Sequence, residues 1–221
     1  MRKGLTEVIF ILDRSGSMRG LEADTIGGFN SMIEKQQKEE GEAYISTILF
    51  DDASDVLYDR VPVDKIEPMN DSQYYVRGCT ALLDAIGGAI HHISNVHKYA
   101  REEDRPEKTF MIITTDGMEN ASHQYSYDKV KDMVEKAKEK DGWEFLFLGA
   151  NIDAIEVAGR FGIAKERALN YECDSKGTKL NYSVLANAVS AVRRSKSKAE
   201  TEVMLEACCA PIVEDYAKRH K

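Results

Sequence analysis

Long hydrophobic runs are missing from this 221-residue sequence. The longest, Val8 to Leu12 and Phe110 to Ile113, are strand-sized and far short of the roughly 18 residues that a membrane span requires. No membrane partner is expected. Cysteine is sparse: Cys79, Cys173, Cys208 and Cys209 form no C-x-x-C pair, and the adjacent Cys208-Cys209 lies in a helical stretch unsuited to bridging distant elements. The amino terminus carries two positive charges but enters a strand instead of a signal-peptide apolar region. Reduced thiols and a cytoplasmic location are therefore expected. Positive charge is also short, with 30 Lys and Arg against 38 Asp and Glu for a net charge of -8. That balance excludes a general nucleic-acid binder, which needs a basic face to displace phosphate counterions. The one basic stretch, Arg193 to Lys198, reads as a solvated linker between two helices. Repeats, heptads and low-complexity tracts are absent too.

What is present is an alternation of strand and helix patterns. Thr6 to Leu12 reads as a buried strand, and Leu21 to Glu39 as a helix with Ile26, Phe29, Met32 and Ile33 on one face. Tyr44 to Phe50 and Val56 to Val61 read as strands joined by the polar turn Asp51 to Ser54, which predicts one antiparallel edge. Ala81 to Tyr99 is a second long helix, Thr109 to Thr115 a third apolar strand, and Tyr127 to Lys140 another helix. Glu144 to Leu148 is a strand, and a shorter helix spans about Ile152 to Phe161. A short edge strand near Ala168 to Tyr171 follows, then helices over Leu180 to Arg193 and Thr201 to Lys218. This order predicts an α/β fold: a doubly wound, mostly parallel sheet with helices on both faces, Rossmann-like in outline. The length suits a single domain over residues 1–221, with a helical C-terminal extension at about 199–219. Ligands of such sheets collect beyond the carboxyl ends of the strands, where strand order reverses.

Polar residues stand at those ends. The first strand closes on Asp13-Arg14-Ser15-Gly16-Ser17, placing a carboxylate and two hydroxyls on one tight loop. Thr80 precedes the second long helix, and the third apolar strand closes on Thr115-Asp116-Gly117. Two carboxylates and three hydroxyls suit a hard cation such as Mg²⁺, with Mn²⁺ as the alternative and Ca²⁺ behind both; no histidine or cysteine among them favours zinc. With only two formal negative charges nearby, such an ion would keep the Lewis acidity to attract a further carboxylate.

The three segments resemble the metal-ion-dependent adhesion site of von Willebrand factor A domains, whose pattern is D-x-S-x-S, then a threonine, then an aspartate after a later strand. The likeness covers roughly residues 5 to 195 and fits a stand-alone, bacterial-type member. It implies that the hydroxyls of Ser15, Ser17 and Thr80 bind the ion directly, and that Asp13 and Asp116 act directly or through water. A partner protein's Asp or Glu would complete the shell. Arg14, Tyr75, Arg77, Glu119 and Asn120 fall on surrounding loops and are candidates for selecting that partner. His91 and His92 sit within a helix, and Trp143 and the Tyr99 region read as ordinary packing. Two other functions remain open: a metal-dependent hydrolase or phosphoryl-transfer enzyme, and a scaffold whose ion serves stability alone. Against the enzyme, no further carboxylates or histidines stand by for a second ion, and no base accompanies Ser15 or Ser17. The sequence leaves oligomeric state undetermined.

Overall fold

Alternate residues of the first strand point in opposite directions, and both directions are apolar, so this strand must be covered on both faces. The computed structural model describes residues 1–220 and shows that cover. Val8, Phe10 and Leu12 of β1 (Arg2–Asp13) enter one core. It is shared with α1 (Glu22–Gln37), α5 (Ser175–Arg194) and α6 (Lys198–Arg219). Ile9 and Ile11 enter a second core, under α2 (Leu82–Tyr99), α3 (Tyr127–Lys140) and α4 (Ala154–Arg160).

The remaining strands are β2 (Glu42–Phe50), β3 (Ser54–Pro62), β4 (Pro106–Thr115), β5 (Glu144–Gly149) and β6 (Ala168–Asn170). They lie in the order β3-β2-β1-β4-β5-β6. All neighbours are parallel except β2 and β3, the expected antiparallel edge. The chain proceeds outward from β1 through β2 to β3, then returns to the other side of β1 at β4. Strand order thus reverses between β1 and β4, and Leu12 faces Thr114 across that junction. The crevice expected for a ligand opens at their carboxyl ends, where Asp13 and Asp116 stand.

Three features depart from the sequence reading. Helix α5 starts at Ser175 rather than Leu180, because the Asp174 carboxylate accepts the Gly177 amide at 2.7 Å and caps a first turn with no apolar residues. Arg193 is not part of a solvated linker. It is buried, and its guanidinium donates to the carbonyls of Gln36 at 2.7 Å and Gly41 at 2.9 Å, closing the carboxyl end of α1. Tyr99, read as packed, is exposed at the end of α2. Lys108 does for α5 what Arg193 does for α1, its ammonium donating to the carbonyl of Val192 at 2.7 Å. Arg193→Ala is expected to lower unfolding stability by about 2 kcal/mol, since it strands several buried carbonyls, and urea denaturation would measure this.

Among the described residues, no helix is long and apolar enough to cross a membrane. The four cysteines are free thiols.

Candidate metal centre

The first loop folds back on its own aspartate. Ser15 donates its amide to Asp13 Oδ1 at 2.7 Å, an Asx-type turn that fixes the carboxylate at the strand end. The other oxygen, Oδ2, accepts from the Thr115 hydroxyl at 2.6 Å, which ties β1 to β4. The Ser15 and Ser17 hydroxyls are 3.0 Å apart, and Ser17 donates to Asp116 Oδ1. Thr80 closes the group from the second loop. A side chain on Gly117 would meet Thr80 Oγ1 at 3.3 Å and Ser17 Oγ at 3.4 Å, so a Cβ here would press on hydroxyls of both loops, which lie close around this position. The five residues singled out from the sequence are therefore brought to one place. Asp13, Ser15, Thr80 and Asp116 are buried and Ser17 is exposed, so the group opens to solvent on the Ser17 side.

Electrostatics set this cluster apart from ordinary turn aspartates. Burial, with the nearby Asp116 charge adding to it, pushes the Asp13 carboxyl up to about 6 against the hydrogen bonds from Thr115 and Ser15. Burial likewise raises the Asp116 carboxyl, opposed by donors from Ser17 and Cys173. Two carboxylates thus lie out of water and close to each other, with hydroxyls around them and no cationic side chain bonded to either oxygen pair. That donor set fits a small hard cation: its charge would supply what the protein side chains do not, and the hydroxyls would serve as neutral ligands. Among the described residues no group of three or more His, Cys, Asp or Glu gathers as a metal site, so any cation held here leans on hydroxyls.

The raised Asp13 value has a consequence for the metal-free protein. Its folded value lies above the ordinary 3.8, so the stability it contributes is full below about pH 4 and lost as pH rises toward 6. The loss, about two pH units at about 1.4 kcal/mol each, amounts to about 3 kcal/mol. Asp13→Asn is accordingly expected to unfold at higher urea than wild type at about pH 7.5 without metal, with the gap narrowing near pH 5.

The surrounding loop residues divide into two kinds. Arg14, expected among the partner-selecting side chains, is only 2% exposed. Its Nε donates to Asp51 Oδ2 at 2.7 Å and Nη2 to Asp55, while Arg77 Nε reaches the same Asp51 oxygen at 2.8 Å. Asp51 also accepts the Ala81 amide at its carbonyl, and Arg77 donates its amide to the Arg14 carbonyl. This arrangement locks the Asp13–Ser17 loop to the loop that carries Thr80. Glu119 is equally occupied, accepting from the amides of Leu83, Ala121 and Ser122. Asn120 pins Thr80 from both sides, its side chain accepting the Thr80 amide at 2.9 Å and its amide donating to the Thr80 carbonyl. Of the five, Tyr75 alone is exposed without bonding one loop to another; Arg77 is as exposed, but its guanidinium is engaged by Asp51 and Asp55. Both are 42% exposed, and the Tyr75 ring lies 5.3 Å from the Arg14 guanidinium and 5.4 Å from that of Arg77.

The sequence reading passed over Asp51 and Cys173. Asp51 carried the same signal as Asp13, an aspartate closing an apolar strand, but looked like an ordinary turn residue. Cys173 Sγ donates to Asp116 Oδ2 at 3.2 Å, and no spacing in the sequence connects those two positions. Tyr74, whose hydroxyl donates to the Asp13 carbonyl at 2.6 Å, braces the first loop from behind.

No family model and no curated protein matches the sequence. Solved structures do. The chain is similar to a von Willebrand factor type A protein from Catenulispora acidiphila, with a TM-score of 0.54 and 13% identity over 84% of this chain and 42% of that one. The fold is von Willebrand factor A-like. A mutant of the PilB minor pilin from Streptococcus sanguinis gives a TM-score of 0.60 at 10% identity, covering 84% of this chain and 61% of the pilin. Proximal thread matrix protein 1 from the mussel byssus gives 0.56 at 14%, covering 85% and 46%. The chain thus spans between 42% and 61% of the length of these proteins. At such identities the likeness is one of fold, and what the von Willebrand factor A-like crevice does rests on its own residues.

Proposed function

We propose that this von Willebrand factor A-like domain is a metal-dependent protein-binding module, holding a Mg²⁺-type ion in an adhesion-site arrangement and engaging an acidic residue of a partner protein there. The observation that carries this reading is the convergence of Asp13, Ser15, Ser17, Thr80 and Asp116 from three loops at the strand-order reversal. Ser15, Ser17 and Thr80 would hold the ion through hydroxyl oxygens, with Asp13 and Asp116 supplying negative charge. When bound, the ion supplies an electrophilic position open to an outside carboxylate.

The chain's own part is pre-organisation. Asp51 and its two arginines fasten the first two loops together, Asn120 orients Thr80, and Thr115 holds Asp13 against rotation. Little loop ordering is left to oppose association. Tyr75 and Arg77, exposed beside the crevice, would add an aromatic surface and a cation to the partner's acidic segment. The exposed side chain of Met118, next to Gly117, would extend the apolar part of that contact.

Acetate serves as a minimal partner carboxylate, and Mn²⁺ as a paramagnetic ion. If Mn²⁺ is held with an open position, the protein–Mn²⁺ complex will relax the acetate methyl protons strongly. Asp116→Ala will reduce this to the level of free Mn²⁺. Tight Mn²⁺ binding with no effect on acetate would instead favour an ion that serves stability alone.

A further inference from the structure

Asp116 is met by a fourth segment of chain, residues 171–174, which joins β6 to α5. Successive side chains there take opposite sides. Tyr171 is buried, and its amide donates to the Gly149 carbonyl at 3.1 Å, at the end of β5. Glu172 bonds His220 at the end of α6. Asp174 accepts from Arg219 Nη1 at 2.6 Å and from the Gly177 amide at 2.7 Å. Both neighbours of Cys173 are thus fastened to helix ends, and a Cβ on Gly177 would lie 2.0 Å from the Glu172 carbonyl oxygen, so this turn admits only glycine. Cys173 is left facing the crevice, half-buried, with its thiol donating to Asp116 Oδ2 at 3.2 Å.

The four carboxylate oxygens of the candidate centre are not held alike. Asp13 Oδ1 accepts an amide, whereas Asp13 Oδ2 and Asp116 Oδ1 accept hydroxyls. Asp116 Oδ2 accepts a thiol, a weaker donor than any of these. Such a contact fixes the direction of an oxygen while drawing off little of its charge. We propose that Cys173 is a positioning residue of the metal centre: its thiol, opposite Ser17, holds the Asp116 carboxylate in one orientation, so that a cation meets it already aligned and still strongly charged. This rests on the metal-binding reading above and goes beyond it, since no residue of the adhesion-site pattern supplies the contact. Cys173 acts through Asp116 and from a segment that the fastened turn keeps in place.

Mn²⁺ titration read by electron paramagnetic resonance tests this. Cys173→Ala frees one oxygen of Asp116, and Mn²⁺ affinity is expected to fall about tenfold, a modest value for a hydrogen bond to a charged group. Cys173→Ser keeps a donor and is expected to stay within about threefold of wild type. The Tm of the metal-free variants separates positioning from packing. A cysteine that serves packing alone would lower that Tm and leave Mn²⁺ affinity unchanged, which overturns the proposal; an equal loss of affinity in both variants overturns it too. Wild type that fails to bind Mn²⁺ saturably would end the metal-binding reading and this inference together, whereas binding undisturbed in Cys173→Ala ends this inference alone. Should Cys173→Ala not fold, the infrared S–H stretch gives a second readout. The Cys173 band, identified by its absence from Cys173→Ser, is expected to shift when Mg²⁺ is added, because the ion draws charge from the Asp116 carboxylate. A stationary band in protein that binds the ion would overturn the proposal.

Discussion

Mg²⁺ or Mn²⁺ added to the metal-free protein is expected to raise its Tm, and Asp116→Ala or Asp13→Ala to abolish the rise. An ion that binds the folded state alone stabilises by about 2.7 kcal/mol at a hundredfold excess over its Kd. For a chain of this size that corresponds to about 5–10 °C. Asp116 is expected to matter most, because its carboxylate contacts Ser17 from the first loop while Gly117 beside it meets Thr80 from the second. Ser17→Ala should weaken the effect without removing it, since one hydroxyl ligand is replaceable by water. Differential scanning calorimetry with and without chelator reads all of these. An equal rise in wild type and both aspartate variants would put the ion elsewhere and end the proposed function.

Asp51→Ala is expected to be the most damaging single change to stability outside the hydrophobic cores, at about 3–5 kcal/mol. The substitution removes the one buried carboxylate shared by Arg14 and Arg77, and leaves the Arg14 guanidinium buried with only the exposed Asp55 to meet it. Breaking a buried pair from one side costs more than the pair contributes, because the remaining charge stays out of water. Burial works to raise the Asp51 carboxyl, but donors from Arg77, the Ala53 amide and Arg14 outweigh it and hold the group below the ordinary 3.8. Its stabilising contribution is therefore present above about pH 4 and fades as pH falls below that value. Urea unfolding of Asp51→Ala, and of Asp51→Leu combined with Arg14→Met, separates the two effects: the double variant, having no stranded charge, should recover part of the loss. A cost under about 1 kcal/mol for Asp51→Ala would show that the arginine pair does not hold the loops together. The same variant is expected to weaken Mg²⁺ binding, because the loop bearing Ser15 and Ser17 and the loop bearing Thr80 are joined through Asp51.

The residues behind these effects differ in how far the sequence reveals them. Asp13 and Asp116 are legible because strand periodicity ends at each of them, and an aspartate at the end of a buried strand has few places to point except the crevice. Asp51 ends a strand in the same manner, yet its partners are arginines from two other loops, and nothing in its local sequence distinguishes a cation-paired aspartate from a free one. Arg14 shows the converse. Its place between Asp13 and Ser15 suggests a side chain directed at a partner, whereas the loop turns it inward onto Asp51 and Asp55. Cys173 and Asp116 lie 57 positions apart, and only the placement of the segment after β6 beside β4 brings them into contact.

Local patterning was enough to establish the order of strands and helices, the two-sided burial of the sheet and which oxygen-bearing residues stand at its carboxyl edge. Each of these follows from local periodicity and from which residue stands where a periodic segment stops. Long-range packing settles which polar side chains face the crevice, which fasten loops, and where Arg193 and Lys108 are spent. Those outcomes depend on contacts between segments many residues apart, set by crossover geometry and helix register, and neither leaves a mark in the local pattern of the chain.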